Sequence, residues 1–441
     1  MARKPTRGLS AGTIVMIGIS LLSLLVSGFV FLRVSGDIGD VQFSPGLLAE
    51  PLMGLANAPA ATQPPIPTAP PMQQSFAIAA TPTSSPAPQP TAPQTRTLTL
   101  TAVGQIGLGT ELRGSGWDEA SETYLYTPIF EGVRHALSGG DIAIATLRTG
   151  LGAQGASFDT YHAPAALASA LKDAGVNLIN LGTDRALDHG IAGVGETLTV
   201  LEALGIASVG ATRAAQTPAL SEVQGIKVGV LSYTESVSSA GRNAASEGER
   251  SAALRLLDAE SAAQDIAALR AQGAQVVIVL AHWGSRSAKS PDRDIRAMAQ
   301  ALADAGADVI LGTNPTRVQA LERLTATDAQ GQPREVFVAY SLGNFLSDET
   351  RETADITGLV LRLSIEWNPL TERITFADAW YMPTWIMRWR DETGAQRYRL
   401  IPSDVSEIPG NMSDSIYINM QKSFQNVINA LGTEAARPYG R

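Results

Sequence analysis

The sequence predicts an α/β domain with buried sheets, and three observations carry that prediction. From Thr97 onward, short apolar and β-branched runs alternate with helical patterns of ten or more residues. Several of the runs, such as Gln275–Ala281, are apolar almost throughout, which marks strands covered on both faces. The composition, 44% hydrophobic and 17% charged, is that of a chain able to bury a core. Helices between apolar strands give the layered α/β arrangement.

The elements follow in order. Thr97–Gly104 alternates threonine with aliphatic residues and reads as the first strand. Further strands are expected at Asp141–Leu147, Asn177–Leu181, Ala207–Gly210, Ile226–Tyr233, Gln275–Ala281, Asp308–Gly312, Glu335–Ser341 and Gly358–Trp367. Helices are expected at Ala163–Asp173, Val194–Leu204, Ser261–Ala271 and Arg293–Ala305. No internal repeat interrupts this alternation.

Upstream the texture differs. Gly12–Leu32 is almost wholly apolar, and Arg3, Lys4 and Arg7 precede it. As a helix it is about 30 Å long, enough to cross a hydrocarbon core. The basic tail predicts residues 1–11 in the cytoplasm and everything after the span outside. The run exceeds the roughly 7–15 residues of a signal-peptide core, and no Ala-x-Ala site follows it closely, so an uncleaved anchor over 12–32 is expected rather than a cleaved leader. Residues 33–96 form a linker: 11 prolines fall between Pro59 and Pro93, mixed with Ala, Thr, Ser and Gln. Proline removes backbone donors and favours extended polyproline II, so the stretch is expected to be a disordered, semi-rigid spacer. A net charge of -9 points away from nucleic acid, and the absence of cysteine excludes disulfides, thiolate metal sites and Cys nucleophiles.

Five short motifs carry a resemblance. They are Gly104-Gln105, Thr146-Leu147-Arg148, Thr183-Asp184-Arg185-Ala186-Leu187-Asp188-His189-Gly190, His282-Trp283-Gly284 with Gly312-Thr313-Asn314-Pro315-Thr316-Arg317-Val318-Gln319, and Tyr340-Ser341-Leu342-Gly343-Asn344-Phe345. Their order and spacing resemble the CapA family of poly-gamma-glutamate capsule biosynthesis proteins, a branch of the metallophosphoesterase superfamily. The resemblance covers roughly Thr97 to Asp348. It implies a metallophosphoesterase-like sandwich of two facing sheets flanked by helices over 97–367, with 368–441, including Tyr381–Trp385 and Tyr398–Pro402, as a carboxy-terminal appendage. It also implies a site at the strand ends, where acids, amides and imidazoles would hold divalent cations that activate water.

Measured against that family, the ligands are mostly replaced. Gly-Asp becomes Gly104-Gln105, Asn-Leu-Glu becomes Thr146-Leu147-Arg148, and the His of Asn-Asn-His becomes Arg185. The three His of Gly-His-His-Pro-His become Thr313, Asn314 and Thr316, while Asp184 and His282 remain. Two guanidiniums at former ligand positions oppose a cation. The vestigial set Gln105, Arg148, Asp184, Arg185, His282, Asn314 and Thr316 is therefore expected to converge on one cleft and to hold an anion, with no metal, no cofactor and no catalytic residue. Two local alternatives stay open: Arg148 and Arg185 pairing with Asp184 and Asp188, and His282 as a strand-end histidine bonded to backbone. His135 and His162 fall outside the motifs. The function this implies is a membrane-anchored, extracytoplasmic protein of capsule or envelope polymer biosynthesis. It would be non-catalytic and would bind an anionic polymer or capsule-assembly proteins. A divergent metal-dependent hydrolase predicts acids clustered near His282, and a structural spacer predicts no cleft.

Overall fold

The computed structural model describes residues 94–440 apart from 154–157, 160, 215–217, 329, 349–352, 406–411 and 433. The expected anchor and nearly all of the expected linker lie outside the described residues. Among the described residues no helix is long and apolar enough to cross a membrane.

The chain opens with β1 (Arg96–Gly107) and β2 (Ile142–Leu147). Two βαβ turns follow: α1 (Ala166–Ala174), β3 (Leu178–Asn180), α2 (Gly190–Ala203) and β4 (Ala207–Val209). A second series then runs through β5 (Ala219–Val223), β6 (Ile226–Thr234), α3 (Ala259–Ala271), β7 (Val276–His282), α4 (Arg293–Ala305) and β8 (Val309–Thr313). It ends in the hairpin β9 (Leu321–Thr327) and β10 (Pro333–Ala339). The chain returns through β11 (Asn344–Ser347), β12 (Thr357–Asn368), β13 (Arg373–Arg390), β14 (Gln396–Pro402) and α5 (Asp414–Leu431). Local chemistry sets the helix ends. Asp258 and Asp292 cap α3 and α4 by accepting first-turn amides, and α4 stops at Gly306 in the left-handed region.

Two sheets result. The nine-stranded sheet has the order β14-β13-β12-β1-β2-β3-β4, with β11 also on β1 and Arg437–Pro438 on β13. The six-stranded sheet runs β9-β10-β8-β7-β6-β5. β1 to β4 are parallel, as are β6, β7, β8 and β10. Leu98, Leu100, Ile142 and Ile144 of the first sheet share one buried cluster with Val228, Val230, Ile278, Leu280 and Leu311 of the second. Alternate residues turn the other way: Ala145, Leu147 and Ile179 pack with α1 and α2, and Val277 and Val279 with α3 and α4. Both faces of the parallel strands are covered, which explains their unbroken apolar runs.

The boundary expected after Trp367 falls inside this architecture. β13 pairs with β12 along most of its length, and Met420, Val427 and Leu431 of α5 are buried in the domain's clusters. β13, β14 and α5 thus complete the same packed layers.

Candidate functional site

Three neighbouring parallel strands of each sheet carry a polar residue at or within two residues of the carboxyl end. Gln105, Thr146 and Asn180 are successive neighbours across β1, β2 and β3. Thr234, His282 and Thr313 are successive neighbours across β6, β7 and β8. All six side chains are buried. The space beyond the carboxyl ends of parallel strands is where open α/β folds place their ligands.

A chain of contacts crosses this space. Just past β2, Arg148 donates to Asp184, in the loop after β3, through Nε to Oδ1 at 3.0 Å and Nη2 to Oδ2 at 3.1 Å. From the other sheet, the His282 ring places Nε2 3.0 Å from the same Oδ1 and Nδ1 3.1 Å from Thr313 Oγ1. Arg148 and His282 are almost fully buried, at 4% and 1% exposed. Burial pushes the Asp184 carboxyl up, but the His282 hydrogen bond and the Arg148 guanidinium outweigh it and hold it well below the usual carboxylate range. Burial also holds His282 below its ordinary value against the pull of Asp184, so the ring is neutral near pH 7. An ionised carboxylate only accepts, so Nε2 carries the proton and Nδ1 accepts from the Thr313 hydroxyl.

The other candidate positions are placed nearby but differently. Gln105 Nε2 donates to Asn344 Oδ1 at 2.8 Å and to the Asn314 carbonyl at 3.2 Å. Asn314, at φ 95°, donates its side-chain amide to the Gly284 carbonyl. The amide oxygens of Gln105 and Asn314 are buried with no hydrogen-bond partner. Thr316 turns to Asp355, 2.7 Å away, and to the Arg286 carbonyl. Arg185 pairs with Asp188 at 2.8 Å and lies over the Tyr161 ring, 3.7 Å from its centroid. Arg148 and Arg185 share the lining of a small cavity with Thr149, Gly150, Val194 and Thr197. The structure thus joins Arg148, Asp184 and His282 directly, joins Gln105 to Asn314, and sets Thr316 apart. Both arginines are paired with acids, one of the two arrangements the sequence left open. His282 bonds side chains, not backbone.

Sequence reasoning missed Asn180. Its Oδ1 accepts from Ser232 at 2.6 Å and from the Gly182 amide at 3.0 Å, tying β3 to β6. A polar residue closing an apolar strand was its one signal. Asp159, His162 and His189 were also missed as a group; their carboxylate and ring nitrogens lie within 4.8 Å of one another.

A divalent ion of the phosphoesterase kind does not fit the strand-end set. Its one carboxylate is shared between a guanidinium and an imidazole. His282 has neither ring nitrogen free, because one donates to Asp184 and the other accepts from Thr313. The orphaned oxygens of Gln105 and Asn314 are neutral, and Arg148 brings a fixed positive charge.

Fold and site together define a two-sheet α/β domain whose strand ends meet in the Arg148–Asp184–His282 contact chain. The bacterial capsule synthesis protein family PGA_cap matches residues 99–349, more than half of the 441, and the chain belongs to that family. It is 29% identical over 186 residues to the capsule biosynthesis protein CapA of Bacillus anthracis, covering 41% of this chain and 42% of that protein. It is 28% identical over 192 residues to the PGA biosynthesis protein CapA of Bacillus subtilis (strain 168), covering 42% and 47%. The chain thus spans less than half the length of these relatives. Among solved structures, the calcineurin-like phosphoesterase YfkN from Bacillus subtilis aligns over 76% of this chain and 98% of its own, at 12% identity and a TM-score of 0.39. At that score the likeness carries nothing about chemistry.

Proposed function

We propose that this chain is a membrane-anchored, extracytoplasmic component of capsule or envelope polymer biosynthesis that binds an anionic polymer or assembly partner and does not turn it over. The observation that carries the reading is the Arg148–Asp184–His282 chain. It neutralises the carboxylate that a hydrolytic metal would need and occupies the imidazole beside it. Support for an anionic ligand comes from Arg185. Its Nη1 is engaged by Asp188, but its Nε is buried with no hydrogen-bond partner and the residue lines the small cavity. Because Asp184 and Asp188 offset both guanidiniums, affinity at one cavity is expected to be weak and salt-sensitive, as suits a repeating polyanion gripped at many points.

The test is binding of poly-gamma-glutamate to the full chain by fluorescence anisotropy at low and high salt. Wild-type protein is expected to bind, and Arg185→Gln, assayed well below its own melting transition because Asp188 loses its cation, to bind roughly tenfold more weakly, the scale of one hydrogen bond to a charged group. Equal binding by Arg185→Gln, or phosphodiester hydrolysis that disappears in Asp184→Asn, overturns the reading.

A further inference from the structure

Beside the strand ends lies a second polar cluster that the Arg148–Asp184–His282 chain does not use. His162 begins the short strand His162–Pro164, paired with Gly150–Gly152. His189 is the residue before α2. The two rings face each other with centroids 4.7 Å apart. Asp159 Oδ1 is 3.5 Å from His189 Nε2, and Glu196 Oε2 is 3.8 Å from His162 Nε2.

Several observations point to a ligand between these groups. The Nε2 of His189 is buried and makes no hydrogen bond. Tetrahedral zinc with bonds of about 2.0–2.1 Å sets its ligand atoms about 3.3 Å apart, so groups already within 4.8 Å, one pair at 3.5 Å, need only small shifts to close on it. The surrounding contacts already hold the groups in place. The His162 ring packs edge-on against Phe158, and the Ala153 amide donates to Glu196 Oε1 at 3.1 Å. Space is kept open by Gly152: a methyl group there would sit 2.7 Å from His162 Nε2. Two imidazoles with a carboxylate favour zinc-class ions over magnesium or calcium, which prefer all-oxygen sets.

We propose that Asp159, His162 and His189 bind one divalent transition-metal ion of the zinc class, with Glu196 adding negative charge beside it. The ion clips Asp159 and the His162–Pro164 strand to the start of α2. Three protein ligands leave one coordination position for water or an incoming group. The neighbouring Tyr161 carries Arg185 on its ring face, so the clip also steadies one wall of the small cavity.

The experiment is titration of ZnCl2 into the full chain, stripped with EDTA and desalted, by calorimetry, with CoCl2 substitution followed by visible absorption. One zinc per chain is expected, with the intense visible bands of tetrahedral cobalt. His162→Ala/His189→Ala should lose at least about 100-fold in affinity, since even outer-shell partners are worth roughly 10–100-fold. Asp159→Asn alters an exposed side chain and is expected to fold; it should weaken binding and shift the cobalt spectrum. His135→Ala, whose ring packs on Tyr439, should bind as wild type. Less than about one-fifth of an equivalent bound, undiminished affinity in both ligand variants, or an octahedral cobalt spectrum overturns the proposal.

Discussion

His282, at the end of β7, reaches across 3.0 Å to Asp184, in the loop after β3, and this contact joins the two sheets near their ends beside the Ser232–Asn180 bond. The same Asp184 oxygen receives Arg148 from the β2 side, and neither neighbour can be altered without leaving the other's partner unbalanced.

Breaking this arrangement should therefore be non-additive. Arg148→Met strands a carboxylate that is 19% exposed and is expected to cost about 3 kcal/mol, the lower end for removing one partner of a buried pair. Adding Asp184→Asn should recover a large part of the loss, because a neutral amide still accepts the His282 proton. Urea unfolding of the single and double variants checks this; strictly additive losses would show that the two sites are not coupled.

The pH dependence follows from the direction of the His282 shift. Its folded value lies below the ordinary 6.5, so the unfolded chain takes up a proton that the folded ring refuses. Stability present above pH 6.5 should fall as the pH drops below it. His162 is shifted the same way, chiefly by burial, and adds to the same loss. His282→Gln should flatten the slope of melting temperature against pH below 6.5 without abolishing it. Asp184, depressed well below its ordinary 3.8, contributes stability that persists above pH 3.8 and is lost only in stronger acid. An unchanged slope in His282→Gln would contradict the burial argument.

Arg148→Glu replaces a paired cation with a second acid against Asp184. The variant is expected to be less stable than wild type in EDTA and to regain melting temperature with millimolar MgCl2, since a hard divalent ion is drawn to facing carboxylates. Wild-type melting should be indifferent to MgCl2. Equal magnesium response in both proteins would show that residue 148 does not control the site's charge.

Gly104, just before Gln105, has no room for a side chain. An added Cβ would lie 2.2 Å from the Gly343 carbonyl oxygen and 2.6 Å from that of Leu342, both backbone atoms. Gly104→Ala should destabilise by about 3 kcal/mol, at the upper end for overpacking because neither neighbour is a movable side chain. Denaturant unfolding with no measurable loss would mean that β1 and the Gly343 turn separate more easily than their contact suggests.

Topology is testable in cells. Protease added to spheroplasts should remove the domain and spare a fragment containing residues 12–32, as the basic tail predicts. Deleting about half of 59–93 should leave the domain's melting temperature unchanged, because a proline-rich coil contributes no core. Full protection of the domain, or a drop of several degrees, would count against the expected arrangement.

Much of the fold was legible because buried parallel strands read as apolar runs. Gln275–Ala281 maps onto β7 within a residue at each end, and Arg293–Ala305 onto α4. The hairpin partner β9 was missed because Leu321–Thr327 mixes buried and exposed residues next to a turn. β13 was hidden by Pro383 and its aromatic residues, which local propensity does not read as one long strand. At the site, residue identities marked Arg148, Asp184 and His282 as candidates, but not who pairs with whom. Arg148 and Asp184 are 36 residues apart and meet only because β2 and β3 are neighbours. His162 and His189 lie on separate elements, so no spacing rule links them.

β1 pairs with β12 over eight consecutive positions, from Arg96 with Trp367 to Val103 with Val360. The innermost strand of the first sheet is thus flanked on one side by a segment made some 250 residues later. Loop closure over that distance comes before any reward from contacts, which makes assembly slow. A nascent chain that has delivered only its first half has an unpaired apolar strand edge and no finished core. Carboxy-terminal truncations that remove β12 are therefore expected to be incapable of folding rather than merely inactive.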